Sequence, residues 1–317
     1  MPDGGWSRST DLASMSATGI ALDAMGGDHA PAAVVAGALR AHIDHGLQIL
    51  LVGRRSDVGE ALTAAGGTGA LEIVDAPDVV HDGEDAAIGV RGKPGASIRV
   101  AARLVADGRA GALVSAGSTG ATLATALLTL GRISDVRRPV VAAVLPVGDD
   151  GVVLVDAGGS ADPQPDAVVT SARMGRAYAR VRGTDSPRVG LLNVGAEPGK
   201  GNALARGAYE LLEAEAGFVG NVEPADVLAG AVDVVVADGF TGNIFLKTVE
   251  AATPPADPRR GPGAAVLLGV DGEVLVAHGA AGEHEIAAAL RTAADVAAAG
   301  LSRRIAERLA RQPGGGC

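Results

Sequence analysis

Short, unbroken apolar runs recur along the chain, and most are followed by a stretch whose apolar residues carry helical spacing. Runs at 19–23, 47–52, 71–74, 111–115, 140–145, 151–155, 189–194, 232–237 and 274–277 are rich in Val, Leu and Ala and predict strands. They do not alternate polar with apolar residues, which marks strands buried on both faces. Helical spacing predicts a helix from the turn at 26–31 to about His45 and a short polar helix before residue 71. Further helices are predicted at 97–106, 119–130 and 165–181, and one long amphipathic helix with a basic outer face at 283–312. Strands alternating with helices predict a mostly parallel sheet in a three-layer α/β/α architecture. Ligands in such folds bind beyond the carboxyl ends of the strands, so the glycine turns that follow the strands are expected to gather on one rim.

The segment AATPPADPRRGPG at 251–263 breaks this rhythm, because its prolines and glycines forbid a regular helix. It reads as a short linker inside a single α/β domain spanning 18–312. The polar, Gly/Ser-rich residues 1–17 read as a disordered extension without the pattern of a signal peptide, and 313–317 as a flexible tail. No apolar run is long enough to span a bilayer, so a cytoplasmic protein is expected.

Composition narrows the chemistry. With 47% hydrophobic but only 2% aromatic residues, the core must be built from Ala, Val and Leu, and there are few rings on which bases could stack. A net charge of -10 argues against a phosphate-backbone partner, which needs a basic footprint. The single cysteine, Cys317, cannot form an internal disulfide or a cysteine metal cluster. No His, Cys and carboxylate cluster has metal-ligand spacing, so neither a metal site nor a cofactor is expected.

Two stretches carry the most chemistry. In SAGSTGA, 115–121, a buried run ends in a turn that opens a helix; Gly117 and Gly120 leave the backbone open, and Ser118 and Thr119 can cap the helix or bind an oxyanion. The Walker ending is absent, and a capped helix without a ligand fits the same letters. In VVVADGFTGN, 234–243, Asp238 closes a strand, Gly239, Gly242 and Asn243 shape a loop, and Thr241 and Asn243 supply neutral hydrogen-bonding groups. Asp238 serves either catalysis or the loop itself. Two more segments follow strands. ALDAMGGDHAP, 21–31, places Asp28 and His29 after a tight turn, as proton-handling groups or as a cap and a surface residue. LLNVGAEPGKGN, 191–202, delivers Asn193, Glu197 and Lys200; the lysine either balances phosphate charge or is solvated.

Read in order, DAMGGDHAP, SAGSTGA, RRPVVAAVLP, PRVGLLNVGAE with KGN, FVGNVE and DVVVADGFTGN resemble the PlsX family, the phosphate acyltransferases of bacterial phospholipid synthesis. The likeness runs from Ile20 to about Glu250 and resumes at 266–279. The resemblance implies a fold like that of phosphate acetyltransferases and isocitrate dehydrogenase. It implies transfer of a fatty acyl group from acyl carrier protein to inorganic phosphate. The acyl phosphate product would pass to a membrane acyltransferase, PlsY, on the way to phosphatidic acid. It also implies a cytoplasmic homodimer peripheral to the membrane.

On that basis phosphate is expected at Gly117, Ser118, Thr119 and Gly120, with Thr241, Gly242 and Asn243 opposite. Lys200 is expected to stabilise charge and His29 to handle a proton, with Asp238 and Asn243 as further catalytic residues, and Asn193, Lys93 and Ser97 are expected among the phosphate-binding ones. The family's helix-opening pattern survives here as KPGAS, keeping Lys93 and Ser97 at the edge of the site. A DVGAN-type turn has become DAGGS, which puts Ser160 where an amide is usual. The family's long helical insertion is replaced by 251–263. An acidic carrier docking on an acidic chain needs a local basic patch; Arg173, Arg176 and Arg180 form one cluster at helical spacing, and Arg132, Arg137 and Arg138 another. The alternatives are a short-chain, coenzyme A-dependent phosphate acyltransferase and an inactive phosphate-binding homologue. The nicotinamide glycine fingerprint is not evident, which disfavours an oxidoreductase.

Overall fold

The computed structural model describes residues 19–81, 83–252 and 263–310. Its strands are β1 (Gly19–Asp23), β2 (Ile49–Gly53), β3 (Glu72–Asp75), β4 (Ala110–Ser115), β5 (Val140–Leu145), β6 (Val152–Val155), β7 (Val189–Leu192), β8 (Phe218–Val222), β9 (Val234–Val236), β10 (Ala264–Leu268) and β11 (Glu273–Ala277). Its helices are α1 (Ala32–His45), α2 (Arg55–Ala64), α3 (Ala86–Gly92), α4 (Ser97–Ala106), α5 (Thr119–Thr129), α6 (Pro165–Val181), α7 (Ala203–Leu212), α8 (Pro224–Leu228), α9 (Gly239–Ala252), α10 (Glu283–Ala299) and α11 (Leu301–Ala310).

All these strands join one sheet in the order β3-β2-β1-β4-β11-β10-β5-β6-β9-β7-β8. Neighbours pair in parallel except at β11–β10, β10–β5 and β5–β6. The sheet is therefore mostly parallel, as the apolar runs predict. The three antiparallel steps have a consequence that the runs cannot show. They reverse the strand direction, so β6, β9, β7 and β8 run opposite to β3, β2, β1, β4 and β11.

Side chains alternate between two cores, because successive residues of a strand point to opposite faces. Ile20 and Leu22 of β1, with Val153 and Val155 of β6, face a core shared with α1, α2, α6, α7, α10 and α11. Ala21, Val152 and Leu154 face a second core shared with α4, α5, α8 and α9. Both faces are covered, which gives the three layers expected.

Local chemistry sets many helix boundaries. Asp85, Ser118 and Asn202 each cap a helix by accepting from the N–H three residues on, and Gly46 ends α1 in the left-handed region. The single long helix expected at 283–312 is two helices. Gly300, at φ 59°, stops α10, and α11 begins at once at Leu301. β8, β10, α3, α7, α8 and α9 are additional to the predicted elements. FVGNV of β8 is only partly buried, and glycine and asparagine interrupt its apolar pattern.

The extension 1–17, the tail with Cys317 and most of the 251–263 segment lie outside the described residues. The first two residues of that segment, Ala251 and Ala252, complete α9 and are not linker. No described helix is long and apolar enough to cross a membrane.

Candidate active site

Two groups of polar residues stand at carboxyl ends of strands. The first lies beyond β1, β4 and β11. Asp23 is buried at the end of β1; its Oδ2 accepts from Ser115 Oγ at 2.7 Å, and Ser115 Oγ accepts from Gly117 N at 3.1 Å. Burial raises the Asp23 carboxyl above its ordinary range, against the hydrogen bonds from Ser97, Ser115 and the Met25 N–H. A Cβ on Gly26 would stand 2.7 Å from Asp23 Oδ2 and 2.8 Å from Gly117 N, so only glycine fits between these two turns. Ser118 caps α5 through Ala121 N at 3.2 Å, while Ser118, Thr119 and Gly120 are themselves exposed. Their position at the start of a helix is the arrangement that suits an anion. Asp28 and His29 are also exposed, and the Asp28 N–H donates to Gly279 O at 2.8 Å, which ties this turn to the end of β11.

Lys93 does not project freely from this group. Its Nζ donates to Val79 O at 2.9 Å and to both oxygens of Glu84, at 2.6 and 2.8 Å. Ser97 is buried and begins α4. Lys93 thus braces the α3 region, and Ser97 supports Asp23 from below.

The second group lies beyond β6, β9, β7 and β8. Asp156 ends β6 and is buried; Oδ1 accepts from Val141, Gly158 and Gly159 N–H, and Oδ2 from Ser160 N–H at 2.6 Å. Burial raises its carboxyl, and the four donors act against that. Ser160 contributes here through its backbone, since its carbonyl also accepts from Gly239 N at 2.8 Å.

The expected loop at 239–243 is instead the first turn of α9. Asp238 caps it, accepting from Phe240 N at 3.0 Å, Thr241 N at 2.8 Å and Thr241 Oγ1 at 2.7 Å. Gly242 is buried because its Cα faces the Asp156 carbonyl, where a Cβ would collide. Asn243 Nδ2 donates to Ala157 O at 2.9 Å, locking the β6 and β9 turns together. Asn193, buried at the end of β7, donates to Lys200 O at 3.1 Å and accepts from Val194 N at 2.8 Å. Lys200 is exposed, and its Nζ stands 3.9 Å from Glu197 Oε2.

The two groups do not share one rim, which corrects the expectation drawn from the glycine turns. β4 and β9 run in opposite directions, so SAGSTGA and DGFTGN leave opposite rims of the sheet. Twist moderates this opposition: at about 20–25° per strand, the five steps between β4 and β9 turn the rims by roughly 100–125°. The helices that the two turns open, α5 and α9, also pack into the same core on one face, α5 over β11 and α9 over β5 and β6, with β10 between them. Neither direction nor face is legible in a run of valines.

Sequence reasoning did not single out Asp156, Ser115 or Asn221. A usable signal was present for Asp156 and Ser115, polar residues at the carboxyl ends of buried strands, but not for Asn221, whose partly buried strand β8 has a broken apolar pattern.

The model of the family described as "Fatty acid synthesis protein" matches residues 18–256. A curated "Phosphate acyltransferase" from Thermobifida fusca is 44% identical over 307 residues, covering 84% of this chain and 84% of the relative. This chain belongs to that family. A second "Phosphate acyltransferase", from Thermus thermophilus, is 43% identical over 323 residues, covering 92% of this chain and 98% of the relative. That alignment has more positions than this chain has residues, so the Thermus member carries residues absent here. Among solved structures, a phosphotransacetylase from Streptococcus pyogenes superposes with a TM-score of 0.66 at 16% identity, covering 93% of this chain and 99% of that one. A 4-hydroxythreonine-4-phosphate dehydrogenase from Klebsiella pneumoniae reaches 0.57 at 16% identity, covering 88% and 99%. These likenesses show the fold. The family members are acyltransferases tied to fatty acid synthesis.

Proposed function

We propose that this chain transfers a fatty acyl group from acyl carrier protein to inorganic phosphate, giving acyl phosphate for phosphatidic acid synthesis. The observation that carries the reading is its 44% identity to a phosphate acyltransferase over most of both chains. A phosphate oxygen attacks the thioester carbonyl, forming a C–O bond. The tetrahedral oxyanion then collapses, the C–S bond breaks, and the carrier leaves as its thiol. Phosphate is itself the nucleophile, so no acyl-enzyme is needed. What the protein must supply is placement and stabilisation of the oxyanion.

In this proposal phosphate binds at the start of α5, on Ser118, Thr119 and Gly120. Lys200, with its long exposed side chain, stabilises developing negative charge, and His29 handles the proton. Asp238, Thr241 and Asn243, at the start of α9, form the opposing wall across β10. The hydrogen bonds of Asp238 and Asn243 support a positioning role, since Asp238 caps the first turn of α9 and Asn243 ties that turn to the one after β6. The enzyme works as a cytoplasmic homodimer whose product goes to a membrane acyltransferase.

The test is to incubate the protein with labelled phosphate and either palmitoyl carrier protein or a short-chain acyl-coenzyme A. Acyl phosphate from the carrier-linked donor is expected, and Lys200→Ala should lower kcat by about a hundredfold. Product from coenzyme A alone, or phosphate binding without product, would replace this reading with one of its alternatives.

A further inference from the structure

Lys200 sits on an irregular turn, 193–202, between β7 and α7. A lysine on such a turn stabilises a transition state only if the turn itself is held. Three ties hold it. Lys200 N donates to Glu197 O at 3.0 Å, closing the turn. Asn193 Nδ2 donates to Lys200 O at 3.1 Å, from the end of β7. Asn221 Nδ2, arriving from the neighbouring strand β8, donates to Glu197 O at 2.8 Å. The aliphatic stem of Lys200 then lies over Gly195, where a Cβ would stand 3.1 Å from Cγ and 3.3 Å from Cδ.

Asn221 is the least expected of these groups. It is 7% exposed, and while its Nδ2 is committed to Glu197 O, its Oδ1 is buried with no hydrogen-bond partner among the described residues. A buried amide with one end unmet is a poor stabiliser. Its useful act is the single bond that it sends across 24 residues of sequence to the lysine turn.

We infer that Asn221 is a positioning residue for the acyl transfer, acting through the Glu197 carbonyl to hold the turn that presents Lys200. The inference rests on the proposed role of Lys200. It predicts a loss in kcat with little change in the KM for phosphate, since Asn221 acts on a group used in the transition state. It also predicts non-additivity, since without Lys200 the position of its turn has nothing to act on.

The experiment compares wild type, Asn221→Ala, Asn221→Asp, Lys200→Ala and the Asn221→Ala/Lys200→Ala double variant, with thermal melting of each. Asp keeps the shape of Asn but replaces the donating N–H with an acceptor. Both Asn221 variants should lower kcat by about ten- to a hundredfold. The Asn221→Ala change should then cost less than about twofold in the Lys200→Ala background. If Lys200→Ala leaves turnover intact, the lysine assignment falls and this inference with it. If Lys200→Ala lowers turnover but the two losses multiply, the lysine assignment stands and the inference alone is overturned. Failure of both Asn221 variants to fold also overturns it, because the residue would then serve the fold.

Discussion

Asp156 shows how a single residue can organise a site without being visible as part of it. Its carboxylate gathers four backbone N–H groups from the start of β5 and from its own turn, and Gly242 packs directly on its carbonyl. Asparagine at this position would aim an NH2 group at some of those donors. Asp156→Asn is therefore expected to destabilise the protein by about 3 kcal/mol or more, from lost charge-assisted bonds and unmet N–H groups. Urea unfolding measures this, and a change below about 1 kcal/mol would show that the N–H groups find other acceptors. The letters DAGGS drew attention to Ser160, yet the structure gives the organising role to Asp156. Sequence reasoning weighs side-chain types, whereas this role depends on which backbone amides converge.

At the scale of elements, the junction of α10 and α11 departs most from its reading. Apolar periodicity runs through Gly300 almost unbroken, so 283–312 reads as one helix. The structure ends α10 at Gly300 and starts α11 on a buried carboxylate: Glu273, the first residue of β11, accepts from Ser302 N and Ser302 Oγ, both at 2.9 Å. Burial pushes the Glu273 carboxyl up from 4.5 to about 7, against those hydrogen bonds.

The sign of the linkage follows from the raised value. Below the ordinary carboxyl range both folded and unfolded chains hold the proton, and burial costs nothing extra. As pH rises from about 4.5 to about 7, the unfolded chain ionises while the folded one keeps its proton, so stability falls. Above about 7 the loss is complete, at roughly 3 kcal/mol. Glu273→Gln keeps an acceptor for Ser302 and should abolish this decline. Unfolding curves at several pH values would reveal it, and parallel pH profiles for the two proteins would remove Glu273 as the cause.

For the whole molecule, the net charge of -10 makes the placement of its arginines decisive for an acidic carrier. Helical spacing groups Arg173, Arg176 and Arg180 on α6, and the fold packs α11 against that helix. Burial and then Arg308 of α11 hold the Arg176 guanidinium below its ordinary range; burial and then Arg176 do the same to Arg180. These cations therefore form one patch drawn from two distant parts of the chain. Arg173 is already paired with Glu215 at 2.6 Å. In the other cluster, Arg137 pairs with Asp166 at 3.0 Å, and Arg132 donates to the Arg137 carbonyl. The Arg176→Glu/Arg180→Glu variant should raise the KM for carrier-linked donor by about tenfold and leave kcat unchanged. An unchanged KM would clear this patch of any docking role.

The order of residues alone establishes the layers, the strand and helix positions along most of the chain, and the family. Those properties rest on local periodicity, on turn chemistry and on motifs in a set order, all of which are written along the chain. The three-dimensional pairing of strands adds that β6, β9, β7 and β8 run against the other half of the sheet, so that SAGSTGA and DGFTGN leave opposite rims yet open helices on one face. It also brings Asn221 to the Lys200 turn and Glu273 to the start of α11. Strand direction and cross-strand contacts arise from which runs pair, and a buried apolar run reads the same whichever way it points.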